Sequence, residues 1–259
     1  MLFSHGCNTQ SPKNLAGKPF DQALKSRNFD CLLILLESKC RTDVKASTMT
    51  PLMQAIVCGM NDAVLPLINR GIDPSFVNIN GHTALSHACM LDQVENVRIL
   101  CNRMDNIEIP YTNESKRASI VKYAIESKNP LILKMVIEKK CDINRFDSTG
   151  ESPVYSLLGN TSTSLQIDML TLLLKHGLDI NSRMNEKSLR FLEYIVIKYL
   201  VDDFSKLVEF LMRNGADPTL EMPNGKTLVD VVRTYSLSSS QREKNYYAVF
   251  KRFYGEHFE

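Results

Sequence analysis

Residues 81–88 read GHTALSHA, and this stretch recurs along the chain in altered forms. Thr83 stands at the start of an apolar segment, where its hydroxyl can accept a hydrogen bond from a backbone N–H of a first helical turn. In SPVYSL and TPLMQA, a proline follows the hydroxyl residue and suits the first helical position. The pattern therefore predicts a series of helix starts, with TPLMQA at Thr50, TALSHA at Thr83, SIVKYA at Ser119, SPVYSL at Ser152 and TLVDVV at Thr227.

These helix starts recur at a nearly fixed interval. They are separated by 33, 36, 33 and 75 residues, and we interpret the last interval as two repeats. LRFLEY, near Leu189, is the weakly matching start within it, and KPFDQA at Lys18 fits as a degraded start 32 residues before Thr50. A period of this length is typical of proteins built from stacked structural repeats.

A second apolar block follows each start, as in AVLPLI, LILKMVI and MLTLLL. It ends in a glycine at Gly71, Gly177 and Gly215, the residue that most readily adopts the left-handed backbone at a helix C-terminus. An aspartate two residues later favours a turn. The repeating unit is therefore predicted to be a helix, a short turn, a second helix and a hairpin-like loop.

This unit resembles the ankyrin repeat, whose pattern contains G-x-T-P-L-H-x-A and closes with L-L-x-x-G-A-D. GHTALSHA at 81–88 and the ending LMRNGAD at 211–217 are the nearest local matches. The resemblance covers nearly the whole chain and implies an all-α ankyrin-repeat solenoid of stacked helix–turn–helix units with hairpin loops. We expect about seven repeats after a partial N-terminal one. The predicted boundaries are 1–13 for the end of a preceding or truncated repeat, 14–47, 48–80, 81–116, 117–149, 150–185 and 186–224 for repeats, and 225–259 for a degenerate repeat with a C-terminal capping helix.

The first ten residues, MLFSHGCNTQ, look like the end of a repeat. Leu2 and Phe3 stand where the last helical turn belongs, and Gly6 and Asn8 where the capping glycine and the turn residue belong. Either the sequence is cut from a longer array, or this stub serves as a minimal cap. We favour the longer array, because an exposed Leu2–Phe3 edge is a poor end for a stack of repeats.

Three segments depart from the pattern. NTSTS at 160–164 is interpreted as an insertion between two helices, and LRFLEYIVIKYLV as an unusually long first helix. Residues 245–258 place Tyr247, Phe250, Phe253 and Tyr254 at helical spacing, which predicts a capping helix with a polar outer face. The alternative, a basic and aromatic element for nucleic acid or acidic lipid, is weaker because the aromatic stripe has a core to cover.

The composition suits a folded protein in a reducing compartment. Seven cysteines are scattered singly, so free buried thiols fit better than a disulfide framework. We therefore expect a cytoplasmic protein, with the nucleus or the cytoskeleton as alternatives. A net charge of +2 does not by itself attract nucleic acid, and no apolar run is long enough for a membrane helix.

The sequence gives no sign of a catalytic or metal site. His82 and His87 are five residues apart across a loop and a helix start, unlike the i, i+4 spacing of a helical zinc pair. His5 and His176 recur just before a capping glycine, where a cation interacts favourably with the helix C-terminus. There is no glycine-rich phosphate loop. We expect no enzymatic activity, no cofactor or metal, no small-molecule substrate, no nucleic acid and no membrane insertion.

The resemblance also implies where a partner binds, because ankyrin arrays hold ligands with their hairpin tips and the inner face of their first helices. A contiguous apolar patch on such a face usually marks an interface. If the repeat register were wrong by one residue, the same side chains would instead pack between helices. The predicted partner-binding residues are Val57, Cys58, Met90 and Leu91 on the concave face, with Phe76 and Val77 at the nearby hairpin tip.

Two functions remain open at this point. The first is a protein–protein interaction module, an adaptor, scaffold or regulator that recognises a partner segment. The second is a structural component built permanently into a larger assembly such as a cytoskeletal or ciliary lattice. Fold alone does not identify the partner.

Overall fold

The computed structural model describes residues 22–23, 26, 28–37, 49–109, 119–158, 162–184, 189–198 and 204–257. The chain divides into two compact units, Met1–Cys141 and Asp142–Glu259. Several predictions lie outside the described residues: the N-terminal stub at 1–13, the helix start at Lys18, His5, most of the repeat at 14–47, and residues 160–161 of the proposed insertion.

The described part of the first unit is a series of helical pairs. Within each pair the two helices pack on each other, and each first helix also packs on the first helix of the next pair. The helices are α1 (Phe29–Glu37), α2 (Pro51–Val57), α3 (Asn61–Asn69), α4 (Ala84–Met90), α5 (Val94–Arg103), α6 (Ile120–Glu126) and α7 (Pro130–Ile137).

The second unit continues with helices of both kinds. The described residues contain no β-strand, only one isolated bridge between Arg183 and Arg190. The predicted all-α class is therefore confirmed. The elements are a 3-10 helix (Pro153–Leu158), α8 (Thr163–Lys175), α9 (Phe191–Lys198), α10 (Ser205–Arg213), α11 (Leu228–Arg233), a 3-10 helix (Thr234–Leu237), α12 (Gln241–Phe253) and a 3-10 helix (Gly255–His257).

Hydroxyl residues begin the first helices, as predicted. The hydroxyls of Thr50 and Ser119 accept from backbone N–H groups of the first turns of α2 and α6. Thr83 and Ser86 cap each other's backbone at the start of α4, at 2.9 and 3.1 Å. Each bond satisfies an N–H that has no partner inside the helix.

The predicted left-handed caps are also confirmed. Gly71, Gly177 and Gly215 have φ values of 90°, 97° and 89° after the second helices α3, α8 and α10. A β-carbon added to any of them would meet no atom within 4 Å. The backbone conformation, rather than lack of space, therefore favours glycine. Lys140 holds the equivalent position after α7 with φ 58°, which is unfavourable for a residue with a β-carbon.

Hydrogen bonds between successive loops hold the second unit together. The side chain of Asn144 donates to the carbonyl of Gly177 and accepts from the N–H of Asp179, both at 2.9 Å. Asn181 repeats this arrangement with Gly215 and Asp217, at 2.9 and 2.8 Å. The aspartates accept from the N–H two residues on, as the turn prediction expected. The bonds from asparagine to the next loop were not predicted.

Small and apolar residues fill the space between the first helices. Leu52 and Leu85 are fully buried, and so are Ala55, Ala88 and Ala124. The three alanines occupy equivalent positions in successive first helices. Because the alanine side chain is small, the backbones of neighbouring helices can approach each other closely.

Two local predictions need correction, and a third is only partly described. SPVYSL begins a six-residue 3-10 helix rather than an α-helix, a form common in short pieces. Thr163 and Ser164 of the proposed insertion belong to α8, because the Ser162 hydroxyl caps that helix. The described part of the long first helix ends at Lys198, and the rest of its predicted length lies outside the described residues.

The C-terminal helix begins earlier than expected, at Gln241. Its buried aromatic residues are Tyr246 and Phe250, whereas Tyr247 is only partly buried. Tyr246 and Phe250 lie on the same face of the helix, and the Tyr246 hydroxyl accepts from the N–H of Phe204, at 3.3 Å. The helix packs on α10 and α11, which agrees with the predicted capping role.

Replacing Lys140 with glycine is expected to increase the free energy of unfolding by about 0.5 to 1 kcal/mol. The substitution removes the cost of a left-handed conformation, about 1 to 2 kcal/mol for a residue with a β-carbon. Part of this gain is offset because glycine loses more conformational entropy on folding than lysine does. Urea titration followed by circular dichroism measures the change. Lys139→Gly, at the neighbouring residue of ordinary backbone conformation, should destabilise instead. Equal effects of the two substitutions would contradict this account.

Asn181→Ala is expected to lower the free energy of unfolding by about 1 to 2 kcal/mol, because two hydrogen bonds to the next loop are lost. Asn214→Ala is the matched control. The Asn214 side chain donates only to the Phe210 carbonyl within its own helix end, at 2.8 Å, and is exposed. The same urea titration should therefore show a clearly smaller loss for Asn214→Ala, and equal losses would rule out a special role for the loop-to-loop bonds.

Candidate functional site

Three described first helices of the first unit end in the same turn. α2, α4 and α6 are each followed by one cap residue and then by a residue in the left-handed region. That residue is Gly59, Asp92 or Lys128, with φ values of 68°, 53° and 58°. Because the turn repeats, the last helical residue and the cap residue of each pair occupy equivalent positions.

Four of the predicted binding residues occupy these positions. Val57, Met90 and Leu91 expose 46%, 39% and 46% of their surface, and Cys58 is partly buried. We call Val57, Cys58, Met90 and Leu91 the turn patch. Directly before them, Ile56 and Cys89 are fully buried. The alternative in which the patch residues pack between helices is therefore wrong, since the inward positions come one residue earlier.

Side-chain hydrogen bonds hold the successive turns next to each other. The side-chain amide of Gln93, at the start of α5, donates to the carbonyl of Ile56 at 2.7 Å. Ile56 precedes Val57, and Gln93 follows Leu91 by two residues, so this bond brings the two halves of the turn patch together. The Asn129 amide makes the next link, to the carboxylate of Asp92 at 2.7 Å.

In the hairpin at 73–83, the most exposed apolar side chain is not one of the two predicted binding residues. Phe76 and Val77 are partly buried, whereas Ile79 exposes 59% of its surface. Asn78 is buried, and its side-chain oxygen accepts from the N–H groups of Asn80 and His82, at 3.0 and 2.9 Å. These bonds fix the tip and direct Ile79 outward. Binding by Phe76 and Val77 stays a prediction.

The structure brings together a histidine cluster that the sequence spacing did not suggest. The rings of His82 and His87 have centroids 5.2 Å apart, and the Tyr123 hydroxyl lies 3.0 Å from Nδ1 of His82. His82 is partly buried and contacts both of these side chains. Nε2 of His87 is buried and has no hydrogen-bond partner among the described residues.

Burial makes this cluster resistant to protonation. Desolvation, together with the smaller effect of the neighbouring His82, lowers the pKa of His87 to about 4. The pKa of His82 is also lowered by burial. A charged imidazolium is disfavoured because the folded protein replaces its hydration shell without supplying an anion.

Most of the described cysteines are buried thiols. Cys89, Cys101 and Cys141 are buried, Cys31 is exposed, and the five described cysteines are all free. Burial raises the pKa of Cys101 to about 11, so its thiol remains protonated at neutral pH. Where the chain is described, no three His, Cys, Asp or Glu side chains stand close enough to hold a metal ion. None of the described helices has the length and apolar character needed to cross a membrane.

Lowering the pH from 7 to 5 is expected to reduce the free energy of unfolding by about 2 kcal/mol through His87. Its folded pKa lies below the value near 6.5 in the unfolded chain, so in this range the unfolded state binds more protons. Urea titrations at several pH values measure the loss.

The substitution His87→Gln removes the titrating imidazole. The free energy of unfolding of this variant should therefore depend much less on pH. His176→Gln, at an exposed histidine of the second unit, is the matched control and should keep it. A wild-type pH dependence in His87→Gln would show that His87 does not carry the effect.

Comparison with known proteins agrees with this architecture. Residues 52–147 match the family model for ankyrin repeats, in three copies. No curated protein matches the chain in sequence at a significant level.

Solved structures are similar over most of the chain. The ankyrin repeat domain of Bcl-3, described as a unique member of the IkappaB protein family, aligns with a TM-score of 0.70 and 20% identity, covering 90% of this chain and 98% of that one. The human ASB11 ankyrin repeat domain aligns with a TM-score of 0.65 and 16% identity, covering 90% and 97%. Likeness at this level of identity shows a shared fold. Residues 52–147 are therefore ankyrin repeats, and the solved structures show that the chain shares the ankyrin-repeat fold.

Proposed function

We propose that this chain is a non-enzymatic protein-interaction module, an adaptor, scaffold or regulator that binds a segment of a partner protein through the turn patch. Ankyrin repeats are generally protein–protein interaction modules, which supports the broad class. The carrying observation is the exposure of three large apolar side chains, Val57, Met90 and Leu91, at equivalent positions of two adjacent turns.

The turn patch is bounded by polar residues. At the equivalent positions of the next pair, the chain has Glu126 and Ser127. A partner segment that covers the patch removes apolar surface from water, which contributes about 25 cal/mol per Å². The thioether of Met90 adapts to an irregular partner surface. An amphipathic helix or an extended peptide with apolar anchors has the required shape.

Isolated exposed apolar residues are common on proteins, so exposure at one position would mean little. Leu131 of α7, exposed to the same degree as Val57, is such a case. The turn patch differs because its members recur at the same place in consecutive repeats and are held together by the Gln93–Ile56 bond. Leu131 therefore provides a matched control.

The double variant Met90→Lys with Leu91→Glu is expected to reduce capture of the specific partner from a lysate of the source cell by at least tenfold. The charged side chains cannot be buried against an apolar segment. Quantitative mass spectrometry of wild type and variant measures the loss. Circular dichroism and the melting temperature should stay near wild type, because both residues are exposed.

Leu131→Lys should capture the same partner as wild type. Equal capture by the double variant and wild type would move the interface away from the turn patch. Recovery of one large insoluble assembly, unaffected by the double variant, would instead favour the structural component. A large loss of helical signal in the double variant would show that these side chains stabilise the fold.

Cytoplasmic residence is also part of this proposal. It is supported by the five free cysteines of the described residues, which suit a reducing compartment. Fluorescence microscopy of the tagged chain in the source cell tests it, and secretion of the chain would overturn it.

A further inference from the structure

The second unit has an open cavity beside α9. α9 and the hairpin of the following repeat line an open cavity of about 410 Å³. This volume lies within the range of about 300 to 1,000 Å³ that is usual for ligand pockets. It is lined by Leu189, Tyr194, Ile197, Lys198, Met222, Pro223 and Asn224.

The walls of this cavity are held in place before any ligand arrives. The buried Arg190–Glu193 ion pair, at 2.6 Å, sits at the start of α9. The Arg190 guanidinium also donates to the carbonyls of Asn181 and Glu221, at 3.1 and 3.2 Å. Glu221 directly precedes Met222, so Arg190 fixes the hairpin wall against the helix wall. A preformed site loses less conformational freedom on binding.

The hairpin wall is also rigid in itself. The Met222 N–H donates to the carbonyl of Lys226 at 2.9 Å, and the Gly225 N–H donates to that of Met222 at 3.0 Å. Gly225 has φ 75°, which suits glycine at this turn. Met222 is buried at the back of the cavity, whereas Pro223 and Asn224 are exposed at its rim.

The described lining of the cavity carries one charge. Lys198 is the only charged residue among the described lining residues, it is exposed, and it makes no ion pair with a described residue. None of the described lining residues has a carboxylate, and the Glu221 carbonyl accepts from Arg190. Apolar walls with one free ammonium at the edge complement a ligand with an apolar body and an adjacent anion.

We propose that this cavity binds an internal segment of a partner protein in which an aliphatic side chain lies next to an aspartate or glutamate. The aliphatic side chain packs on Tyr194, Ile197 and Met222, and the carboxylate pairs with Lys198. The site extends across the helix and the hairpin, which suits an extended segment better than a single side chain. It goes beyond the turn patch and does not depend on it.

The test uses the full chain with methyl-labelled methionine and follows the Met222 methyl signal by NMR, assigned with Met222→Leu. The probe is the capped tripeptide acetyl-Leu-Asp-Leu-amide. The control peptide is acetyl-Leu-Asn-Leu-amide, which has nearly the same shape without the charge. The aspartate peptide should shift the Met222 signal with a Kd of about 1 mM, typical of a small flexible ligand. It should bind about threefold to fivefold more tightly than the asparagine peptide, as an exposed ion pair allows.

Two variants test whether Lys198 recognises the carboxylate and whether Ile197 contributes to the apolar wall. Lys198→Gln should make the two peptides bind equally, whereas Lys226→Gln, at an exposed lysine outside the lining, should keep the preference. Ile197→Asp should abolish binding of both peptides, with the signals of the other methionines showing that the chain is folded.

Three outcomes would overturn the proposal. The first is no shift of the Met222 signal at 20 mM peptide. The second is equal binding of the two peptides to the wild-type chain. The third is binding of acetyl-leucine through its free carboxylate in the absence of tripeptide binding, which would indicate a chain terminus as the ligand. None of these results affects the turn patch, which capture with Met90→Lys and Leu91→Glu tests separately.

Discussion

Ala55, Ala88 and Ala124 occupy the same place in three successive first helices, and all three are fully buried. A larger side chain at this place would push neighbouring helices apart, and the leucines beside them would lose their close packing. A single helical pair cannot bury its apolar face alone, so its stability comes largely from the interface with the next pair. The equivalent spacing of the turns, and with it the turn patch, follows from this close approach.

Much of the repeat unit could be predicted because its signals are local. The hydroxyl of Thr83, the glycine after α10 and the aspartate that opens the following turn each act within a few residues of their own position. The side chains at the ends of the first helices could be placed because they follow directly from those signals. The exposure of Val57 and Leu91 agrees with that placement.

Features formed between repeats could not be predicted from one sequence. Tyr123 lies 41 residues from His82, and Asn181 bonds to residues more than 30 positions later. The hydroxyl of the buried Tyr246 accepts a hydrogen bond from the N–H of Phe204, a partner that helical periodicity alone does not reveal. The cavity beside α9 likewise depends on the position of the next hairpin, which Arg190 fixes by contacts to two separate loops.

Two of the three non-glycine residues with positive φ in the described chain, Lys128 and Lys140, flank a single helix, α7. Each holds a backbone conformation that costs about 1 to 2 kcal/mol relative to an ordinary one. In a stack whose stability is a sum of nearest-neighbour terms, such costs fall on one repeat rather than being shared by all. We therefore expect α7 to be less stable than its neighbouring helices in the first unit. Amide hydrogen exchange should reveal a subglobal opening there, in which the buried Ile132, Leu133 and Val136 become exposed to solvent before the rest of the stack unfolds.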